Sequence, residues 1–131
     1  MNRSLRPRPG ANDRNERHAS DRPLHRACQG TWVVRAGGAG VGESDRALDE
    51  LEGDGPGVIY FPRDDLGMAF LEGSVTTTPS RTLGDARFYS IVTGAGVIED
   101  VAWSYETPLA AAERIACLIA FDSRRVAVEG L

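Results

Sequence analysis

Apolar and polar residues alternate over short runs along most of this chain, with the period of two that is typical of β-strands buried on one face. Turns rich in glycine and proline separate these runs, and apolar residues recur at helical spacing only after Pro108. The predicted strands cover Thr31–Arg35, part of Ser44–Leu51, Val58–Phe61, Met68–Leu71, Ala86–Val92, Val97–Tyr105 and Val126–Val128. Short strands with one late helix indicate an antiparallel domain, because a parallel sheet requires strands and helices to alternate.

The clearest local signal is a β-hairpin around the glycine-containing turn Thr93–Gly96. Pairing of Val92 with Val97 would give the hairpin one face toward the core and one face away from it. The predicted core face carries Phe88, Val92, Val97, Val101 and Trp103. Tyr89 and Asp100 are predicted to lie opposite each other on the other face.

A short helix is predicted after this hairpin. Thr107 has the side chain of a good N-cap and Pro108 suits the first helical position, so a helix of about ten residues is expected to begin there. Its apolar positions are Leu109, Ala112, Ile115, Ala116 and Ile119. Because so short a helix is unstable alone, it has to pack on the sheet, and we expect Cys117 to be buried on it.

Three segments between the predicted strands are interpreted as turns or loops. Gly37–Ser44 imitates the spacing of a phosphate-binding P-loop, but Glu43 stands where such a loop needs lysine, so we predict a glycine turn between two strands. Arg63–Leu66 is expected to form a tight turn or a single 3₁₀ turn. Gly73–Asp85 is predicted to be a loop with at most a short edge strand.

The length and composition indicate one small domain. The chain has 131 residues and a formal charge of −4. Residues 1–27 are polar and rich in arginine, so we expect a disordered tail there and a single domain over residues 28–131. The sequence contains no run of about 18 apolar residues and no apolar secretion signal, so we expect a cytoplasmic protein without a membrane span.

The charges and residue types exclude several chemistries. Residues 1–26 have a net charge of +4 and residues 27–131 of −8, and so acidic a domain argues against a nucleic-acid groove. The chain has no lysine, which excludes lysine nucleophiles and Schiff bases. His18 and His25 both lie in the predicted tail, so the domain is expected to lack a histidine for acid–base chemistry. No metal or cofactor is expected.

Several segments together resemble a small bacterial and fungal family, the domain of unknown function family 427, which also carries a nucleotidyltransferase-like label. The matching segments are Val58–Asp65, Gly84–Ser90, Ala102–Tyr105 and Ile119–Phe121. The resemblance implies a mainly β (α+β) fold, a small antiparallel β-tent-like domain with one short helix near the C-terminus. Members often carry a Cys-Pro-x-Lys-Gly run, of which Ser80–Gly84 keeps only the glycine, so the resemblance implies a divergent or inactive member.

The family motifs also supply the candidate ligand-binding residues. These are Tyr60, Arg63, Asp65, Trp103, Ser104 and Tyr105. Aromatic walls with a guanidinium and a carboxylate would suit a small planar or anionic ligand. A purely structural interpretation also stands, in which Trp103 belongs to the core and Arg63 pairs with Asp65 or Glu106 at the surface.

Two classes of function therefore remain. The first is a module that binds a small molecule or a protein partner, the latter through an exposed strand edge around Thr76–Thr78. The alternative is a nucleotidyltransferase-like enzyme, as the family label suggests. This alternative is less favoured because the domain is acidic, lacks lysine and has no Asp-x-Asp pair.

Overall fold

A computed structural model describes residues 24–51 and 57–131 of the chain. The strands are β1 (Leu24–Ala27), β2 (Trp32–Ala36), β3 (Ala39–Ser44), β4 (Leu48–Leu51), β5 (Val58–Phe61), β6 (Leu71–Thr78), β7 (Ala86–Thr93), β8 (Gly96–Ser104), β9 (Ile119–Phe121) and β10 (Ala127–Gly130). Three short 3₁₀ helices cover Arg63–Asp65, Met68–Phe70 and Ala110–Ile115. Among the described residues, no helix has the length and apolar character needed to cross a membrane.

The strands form two antiparallel sheets, which confirms the predicted fold class. The large sheet has the order β1-β4-β5-β9-β8-β7-β6, and the small sheet has the order β10-β2-β3. One hydrophobic cluster lies between the sheets and joins Val34 and Val41 of the small sheet to Phe61, Ile91 and Phe121 of the large one. A second cluster covers the opposite face of the large sheet and includes the third 3₁₀ helix.

The ordered structure begins earlier than the sequence pattern predicts. Leu24–Ala27, which the sequence pattern places in the tail, pairs with Leu48–Leu51 as an edge strand of the large sheet. This pairing buries His25, so a histidine is part of the folded domain after all. Residues 1–23 lie outside the described residues, and the disordered tail stays a prediction there. The glycine- and proline-rich turn that the sequence predicts between Leu51 and Val58 also lies largely outside them.

The β7–β8 hairpin has the predicted turn but a different register further along. Val92 pairs with Val97 as predicted. Beyond them, β8 carries extra residues opposite Ser90, where Asp100 adopts a φ of 51° and its amide donates to the Ser90 hydroxyl at 3.1 Å. As a result Phe88 lies opposite Trp103 rather than Val101. Such a bulge changes which side chains share a face.

The predicted core face of this hairpin is consequently wrong in part. Val101 is buried, but Val92 and Val97 are exposed by 38% and 57%. Tyr89, which was expected to face away from the core, is buried between the sheets. Both faces of the large sheet carry apolar clusters, so a simple division into an inner and an outer face does not apply.

The predicted helix is shorter and tighter than expected, a six-residue 3₁₀ helix rather than about ten α-helical residues. The Leu109 amide donates to the Leu83 carbonyl at 3.0 Å, and the Cys117 amide donates to the Tyr105 carbonyl at 3.0 Å. These two bonds fix the chain on either side of Ala110–Ile115 and leave no room for another helical turn. Cys117, with a φ of 64°, is exposed rather than buried.

Two further segments between the strands can be compared with the prediction. Arg63–Asp65 forms the expected single 3₁₀ turn. Met68–Phe70, predicted as part of a strand, forms a second 3₁₀ turn. Leu71–Thr78, most of it predicted as loop, is an eight-residue edge strand that pairs with β7. The sequence pattern does not reveal this strand because it is rich in polar threonines. An edge strand with one solvated face needs few apolar residues.

The P-loop-like segment is a glycine turn, as predicted. Gly37 and Gly38 have φ values of 57° and 80° and connect β2 to β3, a conformation that glycine adopts without strain. The second strand starts directly after them, earlier than the predicted Ser44–Leu51 segment. The glycines of this segment therefore shape a hairpin.

Gly42 is needed for a different reason, the close approach of the segment after β5. A Cβ at this position would lie 2.4 Å from Leu66 Cδ2 and 2.9 Å from the Asp65 carbonyl. We expect Gly42→Ala to lower the free energy of unfolding by about 1–3 kcal/mol, the usual effect of overpacking. Gly40→Ala is the matched control, since its Cβ would meet nothing within 4 Å. Urea denaturation of both variants tests this, and equal stability would contradict it.

Candidate functional site

The face of the large sheet that carries the second hydrophobic cluster also holds a cavity. Its volume is about 360 Å³, and it is open to solvent. The cavity is lined by Glu50, Tyr60, Thr78, Ser80, Thr82, Leu83, Ala86, Phe88, Trp103 and Tyr105. These residues supply four aromatic side chains, one carboxylate and the hydroxyl groups of one serine, two threonines and two tyrosines.

Strand alternation explains why three of the six predicted site residues meet here. Trp103 lies near the end of β8 and Tyr105 directly follows the strand, and these two side chains belong to the same hydrophobic cluster on one face of the sheet. Tyr60 reaches the same face from β5, and both strands flank β9 in the large sheet. Phe88 of β7 completes the wall, with its ring centroid 6.0 Å from that of Trp103.

A buried hydrogen-bonded chain lies at the wall of this cavity. The Tyr60 hydroxyl donates to Glu50 Oε1 at 3.2 Å, and His25 Nε2 lies 2.8 Å from Glu50 Oε2. All three residues are less than one-tenth exposed. Arg114 Nη1 donates to the backbone carbonyl of His25 and so connects the third 3₁₀ helix to β1. We call this chain the His25–Glu50–Tyr60 chain.

The protonation state of Tyr60 follows from its surroundings. Burial, followed by the negative charge of Glu50, raises the pKa of Tyr60 far above the ordinary value, although a side-chain hydrogen bond with Trp103 opposes the rise. Tyr60 therefore keeps its proton and acts as a hydrogen-bond donor to the Glu50 carboxylate.

Arg63 and Ser104, two other predicted site residues, are absent from the cavity wall and meet each other elsewhere. Arg63 Nη2 donates to Ser104 Oγ at 3.1 Å and to Glu106 Oε2 at 2.8 Å, and Arg63 Nε donates to the Cys117 carbonyl at 2.5 Å. The pairing of Arg63 with Glu106 is one of the two structural alternatives considered for it. Ser104 follows Trp103 directly, so it points to the opposite side of β8.

Tyr89 and Arg87 complete this second cluster, which we call the Arg63 network. The Tyr89 hydroxyl donates to Glu106 Oε2 and accepts from Arg63 Nη2 at 3.3 Å. The guanidinium carbons of Arg63 and Arg87 lie 5.5 Å and 5.2 Å from the centre of the Tyr89 ring. Burial tends to raise the pKa of Glu106, but the bonds from Tyr89 and Arg63 outweigh it and hold the pKa below its ordinary value.

Asp65, the sixth predicted residue, belongs to neither group. Arg46 makes a two-pronged contact with it, at 2.9 Å to Oδ1 and 3.3 Å to Oδ2, and Ser44 Oγ donates to Oδ2 at 2.6 Å. The bonds from Arg46 and Ser44 lower the pKa of Asp65. Asp65 thus fastens the first 3₁₀ turn to the end of β3.

The sequence-based prediction missed Glu50, His25 and Phe88. Leu48 and Glu50 share a face of β4, and this alternation is visible in the sequence. His25 gave no comparable signal, since the strand it occupies has only four residues and follows a polar segment. Within the described ranges, no group of three or more His, Cys, Asp or Glu side chains is arranged to hold a metal ion.

Comparison with known proteins identifies a matching family. The family model described as a domain of unknown function, DUF427, matches residues 25–130 of the chain. The match begins at His25 and so includes β1 with the rest of the domain. A comparison with curated proteins gave no match.

Proposed function

The chain belongs to the DUF427 family of domains of unknown function, and we propose that it is a binding module whose small-molecule ligand occupies the cavity beside Trp103. The observation that supports this most directly is a buried carboxylate, Glu50, at the wall of an open cavity with aromatic sides. Small-molecule sites are commonly apolar clefts with a few fixed polar groups.

The dimensions of the cavity limit the ligand. A volume of about 360 Å³ lies at the lower end of the range for small-molecule sites. The rings of Phe88 and Trp103 are tilted by 41° with their centroids 6.0 Å apart, and they offer a side wall for a flat ligand. The hydroxyl groups of Thr78, Ser80 and Thr82 supply further donors and acceptors.

A protein partner is the second candidate, and β6 is the feature that favours it. This strand forms one edge of the large sheet, and Val75 on it is fully exposed. An unpaired strand edge can accept an extended peptide. The cavity and this edge can be tested separately, because Val75 is absent from the cavity wall.

The nucleotidyltransferase alternative gains no support from the cavity. The charged side chain on its wall is the acidic Glu50, which would repel a triphosphate. Arg63, the cation expected at the site, is held by Glu106 and Ser104. We also propose that the protein acts in the cytoplasm, since Cys28 and Cys117 are both free thiols and such thiols are usual in a reducing compartment.

Thermal unfolding of the full chain against a ligand panel tests the proposal. The panel holds nucleotides with and without Mg²⁺, nucleosides, and small aromatic, cationic and anionic metabolites. A ligand at 100 times its dissociation constant should add about 2.7 kcal/mol of stability and raise Tm by roughly 10 °C or more. We expect a shift that Trp103→Ala removes and Val75→Ser preserves.

The same panel separates the alternatives. A shift that requires Mg²⁺ and a nucleotide would restore the enzyme hypothesis. A shift that survives in Trp103→Ala would place the ligand outside this cavity. No shift with any compound would contradict the small-molecule proposal and leave β6 as the surface to study.

A further inference from the structure

The described side chains that line the cavity carry only negative charge. Ten described side chains line it, of which Glu50 carries a carboxylate and none is arginine or histidine. His25 contacts Glu50 but does not line the cavity. Arg63 and Arg87 lie in the Arg63 network, where Glu106 holds them. On the part of the wall that the described residues form, a ligand therefore meets one carboxylate and no cationic side chain.

Glu50 retains capacity for more hydrogen bonds. Among the described residues, the Tyr60 hydroxyl bonds to Oε1 and His25 Nε2 lies in hydrogen-bond distance of Oε2. A carboxylate offers about four acceptor sites, so roughly two remain. Tyr60 keeps its proton, so it is a neutral hydrogen-bond donor to this carboxylate. The carboxylate is also buried, where charge-assisted hydrogen bonds are stronger than in water.

The aromatic walls favour the same sign of charge. Phe88, Trp103, Tyr60 and Tyr105 line the same cavity as the Glu50 carboxylate. The face of an aromatic ring carries partial negative charge and attracts cations within about 6 Å. An anion would find no cationic side chain among the described wall residues.

From this arrangement we infer that the cavity selects small, flat organic cations with N–H donors, such as amidinium or guanidinium compounds, and that Glu50 is the group that recognises their charge. The inference rests on the proposed function and narrows it to one class of ligand. It replaces the anionic ligand that the sequence suggested, because that expectation depended on Arg63. Phe88, Trp103, Tyr60 and Tyr105 supply the ring surfaces, and the hydroxyl groups at the cavity wall supply secondary contacts.

Three probes of nearly equal shape test the charge preference. Benzamidine, benzamide and benzoate share a phenyl ring and a planar head, but they carry charges of about +1, 0 and −1 at neutral pH. The experiment uses the full chain with Trp32→Phe, which leaves Trp103 as the remaining tryptophan and hence as a fluorescence reporter in the cavity. Isothermal titration of the unmodified chain provides a second readout.

We expect benzamidine to bind about tenfold more tightly than benzamide, a difference of about 1.4 kcal/mol that a charge-assisted hydrogen bond can supply. Benzoate should bind most weakly. In Glu50→Gln, the affinities for benzamidine and benzamide should become nearly equal. Equal affinities in the unmodified chain, or a preference for benzoate, would overturn the inference while leaving a binding cavity.

A second variant keeps the test informative if Glu50→Gln does not fold. Thr78→Lys adds a positive charge at an exposed residue of the cavity wall. It should therefore weaken the binding of benzamidine and strengthen the binding of benzoate. Thr77→Lys is the matched control, since it adds the same charge one position away on the other side of β6. Identical effects of the two variants would overturn the role of the cavity charge. If none of the three probes binds, the cation inference fails, and the ligand panel with Trp103→Ala then decides the proposed function separately.

Discussion

Replacing Glu50 by alanine is expected to lower the free energy of unfolding by about 3–5 kcal/mol, the usual effect of removing one partner of a buried ionic or hydrogen-bonded pair. The His25 and Glu50 side chains are only 4% and 8% exposed. Without the carboxylate, His25 Nε2 and the Tyr60 hydroxyl would both lose the hydrogen bond that Glu50 provides inside the domain. Because small domains have a total stability of about 5–15 kcal/mol, this loss should be evident in urea denaturation.

Two comparisons make this prediction specific. Glu99→Ala removes an exposed acid from β8 and should change stability by less than about 0.5 kcal/mol. Glu50→Gln keeps one acceptor oxygen and the shape of the side chain, so it should be clearly more stable than Glu50→Ala. If Glu50→Ala and Glu99→Ala unfold at the same urea concentration, the His25–Glu50–Tyr60 chain does not contribute to stability as its geometry indicates.

Arg63→Ala is expected to cost about 2–3 kcal/mol of stability, since it removes several hydrogen bonds to charged or polar groups at once. Arg63 ties the turn after β5 to Ser104 on β8, to Glu106 and to the Cys117 carbonyl. Arg63→Lys should restore only part of this, because one ammonium group cannot reproduce the fork of a guanidinium. Arg35→Ala, which breaks an exposed pair with Glu129, should cost less than about 1 kcal/mol.

The pH dependence of stability provides an independent check on the Arg63 network. The lowered pKa of Glu106 means that the stabilisation is present above the ordinary carboxyl pKa and is lost as the pH falls through the lower value in the folded state. Arg63→Ala should therefore reduce the loss of stability between neutral and acidic pH. If Arg63→Ala changes neither the free energy of unfolding at neutral pH nor its decrease at acidic pH, Arg63 is not a structural residue.

The predictions that succeeded depend on local chemistry. The tight turn at Gly37, the strand Val58–Phe61 before a proline and the pairing of Val92 with Val97 all follow from residues close together in the sequence. The failures depend on distant contacts. The bulge near Asp100 is stabilised by a bond to Ser90 on another strand, and no periodicity within β8 alone reveals it.

In the candidate site, too, the predictions that rest on local sequence succeeded and those that need distant contacts failed. The aromatic residues Tyr60, Trp103 and Tyr105 share a cavity because strand alternation and the family motifs place them on one face. Arg63 was assigned to them by proximity in the motif, but its position after β5 directs it to the Arg63 network. His25 and Glu50 are 25 positions apart and meet only when β1 pairs with β4. That pairing could not be predicted from a four-residue strand next to a polar segment.

The positions of β9 and β10 have a consequence for the order in which the protein assembles during synthesis. β9 is made after β8 but lies between β5 and β8, and β10 pairs with β2, whose Arg35 is 94 positions from Glu129. Neither sheet can therefore close while the last strands are still inside the ribosome. Until then, β5, β8 and β2 each lack a partner strand, and such late, long-range pairing slows folding and exposes nascent chains to aggregation.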